Sequence, residues 1–187
     1  MKKVLSEMSL NELWELFPIF LTEHRSQWAV WYREEEQRLF TVLGQMNVKI
    51  NHIGSTAIKA IWAKPIVDIL MEIPDDAWMT GVKETLLQNG YVCMAESKNR
   101  ISFNMGYTEN GFAERVYHLH LRRAGDNDEL YFRDFMNDNP QLAKEYEKLK
   151  LRLCKKFEHN RDAYTEAKGQ FITDYTNGAK QQYKNRY

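Results

Sequence analysis

VKINHIGSTAIKAIWAKPIVDILMEI, residues 48–73, is the stretch that decides the fold. Val48 to Ile53 predicts a strand, Gly54-Ser55 opens a turn, Lys64-Pro65 breaks the chain, and Ile66 to Ile73 predicts a second strand. That second strand carries Asp68 between Val67 and Ile69. A carboxylate in such apolar surroundings is expensive to bury unless something pairs with it, so the strand describes a site as well as a core. Alternation places Ile66, Asp68, Leu70 and Glu72 on one face, with Asp68 and Glu72 about 13 Å apart by strand rise. These two acids therefore cannot hold one metal ion directly.

Around that stretch lie the other groups capable of chemistry. Gly54 permits close approach, and the backbone N–H groups of the turn it opens, at Ser55 and Thr56, can point at a phosphate or carboxylate. Lys64 adds a point charge beside it. His52 reads better as a structural hydrogen-bond donor than as a base. Further along, Phe112 to Arg122 predicts a strand on which Val116, His118, His120 and Arg122 share a face. Two imidazoles on that spacing stand about 6.7 Å apart, near enough to serve one ligand or one metal. The bland alternative is that core carboxylates or carbonyls satisfy both. Arg100, Arg115, Arg122 and Arg133 are further candidates for an anion site.

HIGSTAI followed by AKPIVDIL resembles the GrpB family of the nucleotidyltransferase-fold superfamily. The resemblance continues through HLHL at 118–121, FRDFMNDNPQLAKEYEKLKLRL from Phe132 and YTEAKGQFI from Tyr164, and so spans most of the chain after Trp28. It implies an α/β (α+β) fold: a nucleotidyltransferase-like mixed β-sheet flanked by helices, with a C-terminal helical segment. It also implies that the Gly54-Ser55 turn holds phosphates and that the HLHL strand lies beside the Asp68 strand, which would bring Asp68, His118 and His120 together as catalytic or metal-binding residues. Arg133 and Lys168 match family positions and are expected at the same cleft.

Two departures stand out. Active nucleotidyltransferases carry a second acid two residues after the first, where one Mg²⁺ bridges both carboxylates and the nucleotide phosphates; here that position is Leu70. Where the family reads Val-Pro-Gly-Leu, this chain has Ile58-Lys59-Ala60-Ile61. An Asp-His-His set would suit a transition metal such as Zn²⁺ or Mn²⁺ better than Mg²⁺.

Bulk properties bound the rest. The 187 residues are enough for one domain with a single core, expected to comprise an N-terminal helix (1–25), a core (26–125) that the resemblance implies is nucleotidyltransferase-like, and a C-terminal helical segment (126–187). Lys+Arg and Asp+Glu both number 26, so no global field favours nucleic acid or a membrane surface. Cys93 and Cys154 are isolated and lack zinc-knuckle or disulfide spacing. With no apolar leader and no spanning run, the expectation is a soluble, cytoplasmic protein.

The pattern predicts helices over Leu10–Leu21, capped by Ser9 with Glu12 at N3, over Ser26–Leu43 and over Asp76–Gln88. A short helix at Leu130–Met136, a long one from Pro140 and a last one capped by Asp162 or Thr165 follow. Glu34, Glu35 and Glu36 fan out around their helix and read as a solvated face.

The leading expectation is a protein that binds a nucleotide or other phosphorylated ligand, with nucleotidyl transfer the activity the resemblance implies. The family's fusion to dephospho-coenzyme A kinase points toward coenzyme A or nucleotide metabolism. Two alternatives are a non-catalytic phosphate-binding module and a metal-dependent hydrolase or phosphotransferase using Asp68, His118 and His120.

Overall fold

The computed structural model describes residues 3–184 and 186–187. Five strands, β1 (Lys49–Ile53), β2 (Val67–Ile73), β3 (Val92–Glu96), β4 (Arg100–Thr108) and β5 (Gly111–Arg123), form one mixed sheet in the order β1-β2-β5-β4-β3. Only the central pair, β2 and β5, runs parallel; the other pairs are antiparallel. The α-helices of the described residues are α1 (Leu10–Leu16), α2 (Gln27–Leu43), α3 (Met79–Gln88), α4 (Asp128–Asp138), α5 (Pro140–Lys156) and α6 (Arg161–Gln182), with short 3-10 turns at Leu5–Glu7, Ser55–Ala57 and Asp76–Trp78. This is the mixed sheet with flanking helices that the sequence led us to expect.

Strand alternation decides where the helices go. Val67, Ile69, Met71 and Ile73 of β2 and Tyr117, Leu119 and Leu121 of β5 bury one face against Trp28, Trp31, Leu39 and Leu43 of α2 and Val82 and Leu86 of α3. Each large apolar side chain buried there contributes about 1.5–3 kcal/mol of transfer free energy. The opposite face carries Asp68, Leu70, His118 and His120, and there a second cluster joins Phe132 and Met136 of α4 to Ala143 and Tyr146 of α5, with Phe171 and Ile172 of α6 packed alongside. One side of the sheet is thus a sealed core. The other is roofed by α4, α5 and α6 with polar groups left between.

Several element boundaries differ from those read in the sequence, each for a local reason. Ser9 does cap α1, with the Ser9 N–H donating to Glu12 at 2.8 Å, but the helix stops at Leu16 instead of Leu21. Pro18 lacks an N–H and disfavours helical geometry at Phe17, so the chain runs on extended and Thr22 bridges Ala63. The cap of α6 is Asn160, whose side chain accepts from the Ala163 N–H at 3.0 Å, not Asp162 or Thr165.

Glu35 corrects the reading of three solvated glutamates. It is buried, accepting from Arg38 at 2.6 and 2.9 Å and from the Tyr91 hydroxyl at 2.7 Å. Tyr91 arrives 56 residues later in the chain, and no helical spacing can anticipate that partner. No described helix is long and apolar enough to cross a membrane.

Candidate functional site

Parallel pairing of β2 with β5 puts Asp68 directly opposite His118 and Leu70 opposite His120. The Asp68 Oδ1 atom lies 3.3 Å from His118 Nδ1 and 4.0 Å from His120 Nε2. Burial pushes the Asp68 carboxyl up, but the two histidines outweigh it and hold the group well below the usual carboxylate range. The carboxylate is therefore charged at every physiological pH.

The hydrogen-bond chain around His118 assigns its protons. Arg161 Nη2 donates to the Tyr107 hydroxyl at 2.9 Å, and that oxygen lies 2.8 Å from His118 Nε2. Burial keeps His118 below the usual imidazole range and hence neutral, so it has one N–H to give. The carboxylate requires that hydrogen at Nδ1; Nε2 then accepts from Tyr107. Both ring nitrogens are committed within the protein, and His118 serves to hold Asp68.

The turn is built with similar economy. Gly54, at φ 70° and ψ −171°, leaves no room for a side chain: a Cβ there would stand 2.2 Å from Asp68 Oδ2. Ser55 faces the cleft, whereas Thr56 is buried, donating to the Ile66 carbonyl at 3.2 Å and lying 3.0 Å from His52 Nε2. His52 stacks on Tyr32 with ring centroids 4.7 Å apart and is pushed down to about 4 by burial. It is a neutral structural donor, as the sequence reading favoured.

After the turn, Ala60 adopts φ 58°, the left-handed conformation that glycine enters most readily. Lys144 Nζ donates to its carbonyl at 2.5 Å and keeps the loop in this shape. An L-residue there costs about 1–2 kcal/mol, against a smaller entropic penalty for glycine. Ala60→Gly should therefore stabilise the protein by about 0.5–1 kcal/mol in urea unfolding. An unchanged or lowered midpoint would contradict the strain.

The cleft itself, a cavity of about 460 Å³, opens between this face of the sheet and helices α5 and α6. Its sheet side presents Gly54, Ser55, Asp68, His118 and His120; its helix side presents Tyr146 and Lys150 of α5 and Arg161, Tyr164 and Lys168 of α6; Lys64 enters from the loop before β2. Lys64 and Lys168 Nζ lie 5.5 and 4.3 Å from the centroid of the same Tyr164 ring. Lys150 sits over Tyr146 at 4.9 Å and donates to the Trp62 carbonyl. Burial, with the other cations adding to it, pushes Lys64 and Lys150 down to about 7; burial alone lowers Lys168, to about 8. Three lysines and one arginine thus line the cavity that holds Asp68, with Asp128 and Glu129 of α4 also at its border.

Of the residues picked from the sequence, Gly54, Ser55, Lys64, Asp68, His118, His120 and Lys168 line this one cavity. Thr56, Arg122 and Arg133 do not, and each is engaged elsewhere. Arg122 is buried and pairs with Glu129 at 3.2 Å. Arg133 donates to the His52 carbonyl at 2.8 Å, to Asp134 at 2.7 Å and to the Tyr187 hydroxyl at 2.9 Å. Arg100 and Arg115 pair with Asp126 and Glu34. Glu72 accepts from the Gly125 N–H and from Asn127, closing the loop after β5.

Lys150, Arg161, Tyr146 and Tyr164 were missed by sequence reasoning. Two signals pointed to this wall: Lys150 lies four residues after Tyr146 on the apolar stripe of α5, and the inward stripe of α6 runs Thr165, Lys168, Ile172, Thr176, with polar residues where a core helix would be apolar.

A nucleotidyltransferase-type Mg²⁺ site needs paired carboxylates, and these residues do not supply them. Leu70 is fully buried against Ile53 and Leu130 at the place of the second acid. Among the described residues, no group of three or more His, Cys, Asp or Glu side chains is arranged to hold a metal ion. His118 Nε2 lies 2.8 Å from the Tyr107 hydroxyl and its Nδ1 3.3 Å from Asp68 Oδ1.

Comparison with known proteins places this architecture. A family model described as GrpB protein matches residues 18–177. UPF0157 protein YqkA of Bacillus subtilis is 31% identical over 183 residues, covering 95% of this chain and 52% of YqkA; the chain spans about half the length of that relative. The crystal structure of the conserved protein GrpB from Enterococcus faecalis superposes with a TM-score of 0.76 at 27% identity, covering 88% of this chain and 99% of that one. Cid1 poly(U) polymerase superposes with a TM-score of 0.50 at 10% identity, covering 78% of this chain and 44% of Cid1. That likeness establishes a nucleotidyltransferase-like fold.

Proposed function

We propose that this chain, which belongs to the GrpB family, uses the cleft between its sheet and helices α5 and α6 to bind a nucleotide or another phosphorylated small molecule. One observation carries the reading: Lys64, Lys150, Lys168 and Arg161, from three separate parts of the chain, converge on a cavity that also holds the Gly54-Ser55 turn. Gathering like charges in one partly desolvated place is unfavourable in the empty protein, where Asp68 offsets only part of the repulsion, and an arriving anion relieves it. Phosphate, with two negative charges near neutral pH and several acceptor oxygens, matches such a set. The volume lies within the range of small-molecule sites. Cid1, a neighbour in fold, has been solved with the UTP analog UMPNPP, and nucleotides are therefore the phosphorylated ligands we would try first.

Binding is a better match to this geometry than nucleotidyl transfer. Transfer through two carboxylates and a metal needs an acid at position 70, where the chain has leucine. Asp68, held charged by its histidines, instead gives the surrounding lysines an internal counter-ion.

A thermal-shift series with ATP, inorganic pyrophosphate and coenzyme A precursors tests the reading. A ligand at 100 times its dissociation constant should stabilise the protein by about 2.7 kcal/mol. That shift should vanish in the Lys64→Met, Lys168→Met double variant. An equal shift in the double variant would place the ligand elsewhere. Steady release of pyrophosphate from a nucleoside triphosphate, lost in Asp68→Asn, would replace binding with transfer.

A further inference from the structure

Resting on that reading of the cleft, we propose that the bound phosphate is taken as the metal-free anion and that protons are taken up with it, the lysines supplying the charge that a divalent cation supplies in a two-carboxylate site. The geometry has three parts. Lys64 and Lys168 share one face partner, Tyr164, and neither has a hydrogen-bond acceptor among the described residues. Lys150 reaches the same cavity but spends one hydrogen on the Trp62 carbonyl. Asp68 is the carboxylate set among them, and it is already held by His118.

The charged neighbours of each lysine fix the direction of the effect. Lys64 faces Lys168 and Arg161 of α6, with Asp68 of β2 and Cys154 of α5 opposing them. Around Lys150 stand Lys168, Lys64 and Lys144, opposed by Glu147; Glu147 is already bound to the Trp62 N–H at 2.6 Å and to Lys144 at 3.1 Å. Lys168 feels Asp68 as its attractive partner. Asp128 and Glu129 of α4 also border the cavity, but they pair with Lys180 and Arg122. Cations outnumber free carboxylates on every side, so burial and mutual repulsion favour releasing protons in the empty cleft. Titration near pH 7 to 8 follows for all three.

An arriving phosphate reverses this balance. Its negative charge favours the ammonium form, and the missing protons come from the buffer; no covalent bond forms or breaks. By linkage, affinity must fall as pH rises wherever the complex holds more protons than the free protein. The phosphate is itself fully ionised above about pH 7, so the fall above that point belongs to the lysines.

Isothermal titration with ATP in excess EDTA, at pH 7.0, 8.0 and 9.0 and in two buffers of different ionisation enthalpy, tests this. The expected result is binding without Mg²⁺, an affinity at least tenfold lower at pH 9.0 than at pH 8.0, and a buffer-dependent heat equal to uptake of at least one proton. Lys168→Arg, which keeps the charge but cannot titrate, should bind with a shallower pH dependence. Binding that requires Mg²⁺, or heats that are identical in the two buffers at pH 8.0 and 9.0, would overturn the inference while leaving the phosphate-binding reading intact. If neither ATP nor pyrophosphate binds with or without Mg²⁺, that reading falls and this inference with it.

Discussion

Gly54→Ala should lower the stability of the protein by about 3 kcal/mol and remove its capacity to bind ATP. The residue sits at φ 70° and ψ −171°, a region essentially confined to glycine, where strain alone amounts to about 1–3 kcal/mol. The new methyl group would also meet Asp68 Oδ2 at 2.2 Å and Asp68 Cβ at 2.9 Å. Cβ is fixed by the β2 backbone, so rotating the carboxylate away does not relieve the collision. Either the turn or the strand must move: the first takes the turn's backbone N–H groups out of place, and the second separates Asp68 from His118. Gly169→Ala, in α6 where a Cβ meets nothing within 4 Å, is the control, and should be neutral or stabilising by about 0.5–1 kcal/mol. Urea unfolding with equal losses at the two positions would contradict the packing argument.

The second large effect has opposite signs for stability and binding. Lys168→Met should stabilise the unliganded protein by about 1–2 kcal/mol at pH 7, because an apolar chain of similar length replaces a charge without a hydrogen-bond acceptor. The same change should weaken ATP binding at least tenfold, about 1.4 kcal/mol.

The pH dependence follows from the folded-state value of about 8 against 10.5 for the free side chain. Between those values the unfolded chain holds the proton and the folded chain does not, so the lysine's unfavourable contribution fades as pH rises through that window. The stability gap between Lys168→Met and the parent should therefore be widest below pH 8 and close toward pH 10. A variant less stable than the parent at pH 7 would mean that Lys168 holds the fold together and is not held in reserve for a ligand.

What could be read from the sequence follows the range over which each cause acts. Gly54, Ser55 and Asp68 were legible because turn chemistry and strand alternation act within a few residues, and the β2 sequence sets Asp68 between apolar neighbours. His118 and His120 were placed on one face by the same alternation. Their meeting with Asp68 depended on β2 pairing parallel with β5, a crossover that family resemblance supplied and periodicity did not.

Lys150 and Arg161 escaped because they reach the cleft from helices more than 80 residues away from Asp68. Arg133 misled for the converse reason: it matched a familiar motif, yet the His52 carbonyl and Tyr187 claim its guanidinium. Pro18 was visible, and its effect on α1 followed from covalent geometry alone. Helical periodicity continuing past it drew the boundary too far.

The account stands on where a phosphate group sits. A crystal structure of the protein grown with ATP and EDTA measures this directly. Phosphate oxygens should lie within hydrogen-bond distance of Lys64 Nζ, Lys168 Nζ and the backbone N–H groups of the Gly54-Ser55 turn, with no metal between them and Asp68. ATP bound away from α6, or its phosphates bridged to Asp68 by a cation, would contradict it.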